Sequence, residues 1–206
     1  MRGWFESTPT LLNEHAGNRE SAMTHDRETL AAIAARIIVE SELTDWALAR
    51  RKAVAELGLG AHGSPLPSDD EIISEIKTYH ALYSGDAWAL QLRAQREAAL
   101  EAMIALSCFN PMLTGAVAEG WAHAGSHIRI ELTPESGKDV EYALLNLDVE
   151  FTPTLAKDGT ELYEILDGDW PMRLVVRESG RPPDHHYKTR LNGKLLEHLL
   201  REMAAG

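Results

Sequence analysis

Leu113-Thr114-Gly115-Ala116-Val117-Ala118-Glu119-Gly120-Trp121, followed after a short loop by Ser126-His127-Ile128-Arg129-Ile130-Glu131-Leu132, is the stretch on which the fold turns. Residues 113–119 are a small apolar run between Pro111 and Gly120, which reads as a buried strand. Residues 127–132 alternate strictly. Strand side chains point to opposite faces in turn, so His127, Arg129 and Glu131 share one face while Ile128, Ile130 and Leu132 share the other.

Downstream, residues 138–146 predict a helix that packs Val140, Ala143 and Leu144 onto the sheet, and residues 148–155 predict a third strand. Residues 162–166 and 172–176 read as a hairpin around Asp167-Gly168, a favoured turn pair. Arg181-Pro182-Pro183 breaks the pattern, and Leu195, Leu196, Leu199, Leu200 and Met203 mark a last helix.

Upstream the period is helical. Leu30, Ile33, Ala34, Ile37 and Ile38 form one stripe, and a second helix, opened by Thr44, carries Trp46, Ala49, Ala53 and Leu57 before Gly58. Ser68-Asp69-Asp70-Glu71 is a capping box leading into Ile72, Ile76, Tyr79 and Tyr83. A fourth helix runs from Asp86 through Trp88, Leu92, Ala99, Met103 and Leu106 to Asn110-Pro111. The reading is α+β: a loose arm over residues 1–24, a helical region over 25–110, and a mixed sheet flanked by helices over 111–206.

The formal net charge of −12 argues against a general nucleic-acid or anionic-membrane binder, which carries a basic surface. The single cysteine, Cys108, excludes an internal disulfide and Cys/His zinc ribbons, and its place at the end of an apolar helix reads as core packing. The longest apolar stretch, residues 30–39, is interrupted by Arg36, and no apolar leader follows Arg2. A cytoplasmic, non-membrane protein is therefore expected.

A helix, a strand ending in glycine, a loop and an alternating strand resemble the opening of the nucleotidyltransferase fold of the DNA polymerase beta superfamily. The chain looks like a divergent member of a small bacterial nucleotidyltransferase-like family. The likeness is carried by residues 45–53 (Asp45-Trp46-Ala47-Leu48-Ala49-Arg50-Arg51-Lys52-Ala53), 111–120 and 128–146. It implies phosphates approaching a Gly-Ser or Gly-Gly pair. It also implies paired carboxylates at i and i+2 on the next strand, and a third on a later strand, together holding two Mg²⁺ ions for nucleotidyl transfer from an NTP.

The departures from that pattern are specific. Gly120-Trp121 stands where Gly-Ser is wanted, and the following loop is short. His127 and Arg129 occupy the paired-carboxylate positions, Glu131 is the one acid on that strand face, and Arg173 stands where the third carboxylate belongs. Arginine cannot ligate a cation, so two-metal catalysis is expected to be lost and Mg²⁺ to matter only if activity survives. His127, Arg129 and Arg173 instead suit a cationic pocket for a nucleotide or phosphorylated small molecule. Gly120 would admit phosphate, Trp121 would stack a base, and Glu131 would be the surviving catalytic metal ligand. The plainer alternative pairs Arg129 with Glu131 or Glu164 on a solvated sheet face.

Weaker signals complete the sequence reading. Glu119, His123 and His127 have metal-ligand residue types, but the glycines and serine among them argue for a loop; a shifted register would gather Glu119, Glu131 and Glu164. Asp184-His185-His186 matches the three-letter signature of the DHH phosphoesterases without their other motifs, and Arg50-Arg51-Lys52 is a short basic run. Three functional classes follow. They are a degenerate binder of nucleotide or phosphometabolite, an active metal-dependent nucleotidyltransferase, and an interaction module whose helical region docks a partner or a second copy through Trp46, Tyr79, Tyr83 and Trp88.

Overall fold

The computed structural model describes the backbone of residues 11–59, 66–156, 158–177 and 187–205, and side chains from residue 26 to residue 204. Arg181-Pro182-Pro183 and Asp184-His185-His186 lie outside these residues, as do the first ten residues of the expected arm and residues 60–65. The protein is α+β, and its chain divides into two compact units, Met1–Tyr79 and His80–Gly206.

The first unit is helical. α1 (Leu11–Glu40) is longer than its apolar stripe, because backbone helix continues into the residues read as a loose arm. Leu30, Ala34, Ile37 and Ile38 are buried against α2 (Trp46–Glu56) and α3 (Asp69–Tyr79), which contribute Ala49, Ala53, Ile72 and Ile76. Asp45, not Thr44, caps α2, its carboxylate accepting from the Leu48 N–H. The capping box of α3 forms as its sequence requires. Glu71 Oε2 accepts from Ser68 N–H at 2.7 Å, and Ser68 Oγ accepts from Glu71 N–H. The Ser68 N–H and the Ser68 hydroxyl, both donating to Glu71 Oε2 at 2.7 Å, outweigh the cost of burial together with Arg27 and hold the Glu71 carboxyl down at about 2.

The second unit opens with a π-helical turn, His80–Ser84, and continues as α4 (Gly85–Ala105). The α4 helix, which its periodicity groups with the helical region, thus belongs to the unit that carries the sheet. It packs on α5 (Gly115–Glu119), on α7 (Gly193–Ala205) and on the strands β1 (Met112–Thr114) and β2 (Ile128–Leu132). The remaining elements are α6 (Gly137–Asn146), β3 (Thr152–Leu155), β4 (Glu161–Ile165) and β5 (Met172–Val176).

The five strands are ordered β1-β2-β5-β4-β3, with β2 and β5 parallel and every other neighbouring pair antiparallel. One face is apolar. Leu113, Ile128, Ile130, Leu132, Leu174 and Tyr163 are all buried there, and α6 adds Val140 and Leu144. The Tyr163 hydroxyl donates to the carbonyl of Gly137, tying α6 to that face.

Two readings are corrected. The expected strand over 113–119 ends at Thr114. Gly115 takes a φ of +76°, which turns the chain out of extended geometry and starts α5. An all-buried run of Ala and Val fits a strand or a short buried helix equally well by pattern. Cys108 is exposed, in the 3₁₀ turn Ser107–Phe109 beyond the end of α4, so it does not pack the core.

Candidate functional site

The opposite sheet face is polar, and strand register lines its residues up. Thr114 on β1, Arg129 on β2, Arg173 on β5, Glu164 on β4 and Thr152 on β3 stand directly across from one another. Directly paired residues share a face, so these five make one row. Glu131 lies two residues along β2 and therefore on the same face, at a rise of about 3.3 Å per residue.

Glu131 is the centre of this face and is almost fully buried, at 2% exposure. Its Oε1 accepts from Arg129 Nη1 at 2.5 Å and from Arg177 Nη2 at 3.3 Å, while its Oε2 lies 2.6 Å from Arg190 Nη1. Burial alone would push this carboxyl up. The hydrogen bond from Arg129 and the charges of the three arginines outweigh that cost and bring it below the usual carboxylate range.

Arg129 is held by further contacts. Its Nη1 also donates to Thr114 Oγ1 at 2.7 Å, and its guanidinium lies over the Tyr187 ring, 4.6 Å from the centroid. The segment bearing Tyr187 and Arg190 is anchored beside the sheet. Leu191 exchanges backbone hydrogen bonds with Leu113, and Glu119 Oε1 accepts from the N–H of Lys188 at 2.7 Å. A second ion pair occupies the same face, Arg173 Nη2 to Glu164 Oε1 at 2.7 Å, half-exposed where the first cluster is buried.

The residues proposed from sequence are thus brought together only in part. Arg129, Glu131 and Arg173 share the polar face as expected. His127 precedes β2, half-buried, and its pKa is lowered by burial and then by the charge of Arg173, with Glu164 opposing. Gly120 and Trp121 stand elsewhere. Gly120 ends α5 at a φ of +73°, where a β-carbon would meet Arg96 Nη2, and Gly115 is the glycine at the end of β1. Trp121 is buried and donates from Nε1 to Glu119 Oε2 at 2.9 Å, so its ring is not presented to stack a base.

Arg177, Tyr187 and Arg190 went unread in the sequence. They lie past the strand ends in irregular segments, where no period announces which way a side chain points. Of the two plain pairings, Arg129 takes Glu131, while Glu164 pairs with Arg173 instead.

The donor set does not fit a divalent cation. Mg²⁺ and Ca²⁺ require several oxygen ligands, whereas Glu131 is a lone carboxylate whose Oε1 accepts from two guanidinium groups and whose Oε2 is in ion-pair contact with a third. The shifted register is not realised either. Glu119 is spent on Trp121 and on backbone N–H groups, and Glu164 on Arg173. Among the described residues, no group of three His, Cys, Asp or Glu side chains is placed to hold a metal ion. No helix among them is long and apolar enough to cross a membrane. No family model, curated protein or solved structure matches the chain. The class therefore rests on fold and site alone: an α+β protein with an arginine-rich polar sheet face.

Proposed function

We propose that this chain is a degenerate nucleotidyltransferase-like protein that binds a nucleotide or phosphorylated metabolite on the polar sheet face without a catalytic metal. One observation carries the reading: three guanidinium groups converge on the buried Glu131, at the centre of the face where the resemblance expects metal-binding carboxylates. Arginine presents planar, permanently charged forks that match phosphate oxygens, and it is weakly hydrated enough to do so at a partly buried site. Glu131 holds the forks in place while Tyr187 and Thr114 orient Arg129. Nucleotidyl transfer is disfavoured because His127 and Arg129 hold the paired positions and the one acid on that strand face is already neutralised by cations.

The interaction-module reading gains less. Of its four aromatic anchors, Tyr83 alone is exposed. Trp88 donates to the Ala122 carbonyl and stacks on His80.

A thermal-shift titration of the full chain with ATP, GTP, CTP, UTP and inorganic phosphate, with and without Mg²⁺ or Mn²⁺, tests the proposal. A ligand at a hundredfold excess over its dissociation constant adds about 2.7 kcal/mol. For a chain of this length that raises the midpoint by roughly 5–10 °C. The expected result is a metal-independent shift that Arg190→Ala or Arg173→Ala reduces. A shift that requires metal and comes with pyrophosphate release would overturn the degenerate reading. No shift with any of these probes would overturn anion binding altogether.

A further inference from the structure

A cavity of about 520 Å³ opens beyond the C-terminal ends of the parallel strands β2 and β5, within the second unit. Its size is that of a small-molecule site, and the ends of parallel strands are where open sheets commonly receive ligands. Arg177 joins it to the polar face: this residue lines the cavity, and its Nη2 reaches Glu131 Oε1 at 3.3 Å.

The lining is specific in its chemistry. Thr133, Ser136 and Thr160 bring hydroxyls, Asn110 an amide, and Glu135 and Glu161 carboxylates. Thr160 Oγ1 is buried without a hydrogen-bond partner, so this wall holds an unmet polar group. No aromatic side chain is among the described residues of the lining, so none of them offers a nucleobase a ring to stack on.

The charges are also ordered. Glu161 Oε2 occupies the place a β-carbon on Gly137 would take, so a carboxylate already sits against the N-terminus of α6. A phosphate is repelled from that end and directed to Arg177, while carboxylates accept well from ligand hydroxyls.

Building on the anion-binding reading above, we propose that the ligand is a phosphorylated sugar. Its phosphate lies at the Arg177 end, and its hydroxyl-bearing body fills the cavity against Asn110, Thr133, Glu135 and Glu161.

The test titrates the full chain with ribose 5-phosphate, glucose 6-phosphate, AMP, inorganic phosphate and the two free sugars. Binding is followed by calorimetry and by amide NMR shifts of residues 133, 135–137 and 159–160. Two variants accompany it. Asn110→Gly keeps the left-handed backbone (φ +50°) while removing the amide, and Glu135→Gln alters an exposed carboxylate. At least one sugar phosphate should bind about tenfold more tightly than inorganic phosphate or AMP, the worth of one or two hydrogen bonds. Both variants should erase that margin and leave inorganic phosphate binding unchanged.

If inorganic phosphate binds and the sugar phosphates do no better, or if the variants leave their margin intact, the cavity assignment falls while anion binding stands. AMP matching or exceeding the sugar phosphates overturns it in favour of nucleotide. No binding by any phosphate, the inorganic ion included, removes both readings together.

Discussion

Arg190 Nη1 lies 2.6 Å from Glu131 Oε2, joining a residue that follows the last strand to the C-terminal end of β2. Two further arginines reach the other oxygen of the same carboxylate, so Glu131 is the shared counter-charge of a buried cluster. Removing one partner of a buried ion pair leaves charges out of water and uncompensated, which costs about 3–5 kcal/mol. Glu131→Gln should therefore destabilise the second unit by about that much. Glu164→Gln, which breaks the half-exposed pair on the same face, should cost less than about 1 kcal/mol. Urea denaturation of the two variants checks this, and equal costs would mean the cluster adds nothing beyond a surface pair.

The same carboxyl sets an acid limit. Its folded pKa is lowered below its unfolded value, so the unfolded chain takes up the proton first as pH falls. Its contribution is complete above the ordinary carboxylate value of 4.5 and is lost as pH drops through the folded value. Wild type should then lose more stability than Glu131→Gln between pH 5 and pH 3. Parallel urea midpoints across that interval would show the two converging, and a constant gap would contradict the assignment.

Gly120 and Gly159 have similar left-handed backbones, with φ of +73° and +82°. Alanine at either strains the backbone by about 1–2 kcal/mol. At Gly120 the new methyl also meets Arg96 Nη2 at 3.3 Å, whereas nothing stands within 4 Å at Gly159. Arg96 is buried, donates from Nε to the Val117 carbonyl, and has its pKa lowered by that burial, so it has little room to retreat. Gly120→Ala should exceed Gly159→Ala by about 1 kcal/mol in chemical denaturation, from overpacking alone. Equal losses would show that the guanidinium yields freely.

The sequence was legible where period and capping chemistry agree. The alternation of residues 127–132 placed Arg129 and Glu131 on one face, and Ser68-Asp69-Asp70-Glu71 announced the start of α3. Runs without a period were not legible. Residues 113–119 are apolar throughout, so only the left-handed Gly115 distinguishes the three-residue β1 from α5. Trp121 illustrates a second limit: composition offered a stacking ring, but Glu119 two residues away captures its indole N–H. Arg177 and Arg190 reach Glu131 from outside the regular strands, through backbone paths that hydrophobic pattern does not encode.

His123 and His80 give the last prediction. His123 is buried, and its Nδ1 accepts from the Gly125 N–H at 3.2 Å. Burial, and then the nearby His80, depress its pKa to about 4. His80, stacked on Trp88 with ring centroids 4.6 Å apart, is also lowered by burial. A histidine depressed in the folded state binds its proton more readily when unfolded. Its stabilising contribution is therefore present above the ordinary value of 6.5 and lost as pH falls toward the folded value. Lowering pH from 7 to 5 should cost the second unit about 2 kcal/mol through His123 alone. Histidine ring NMR checks the cause, since the His123 signals should stay neutral until about pH 4. Denaturation followed through the β2 amide signals checks the consequence. A His123 that titrates near 6.5, with no loss of stability by pH 5, would mean that water reaches the ring and that its burial is not maintained in solution.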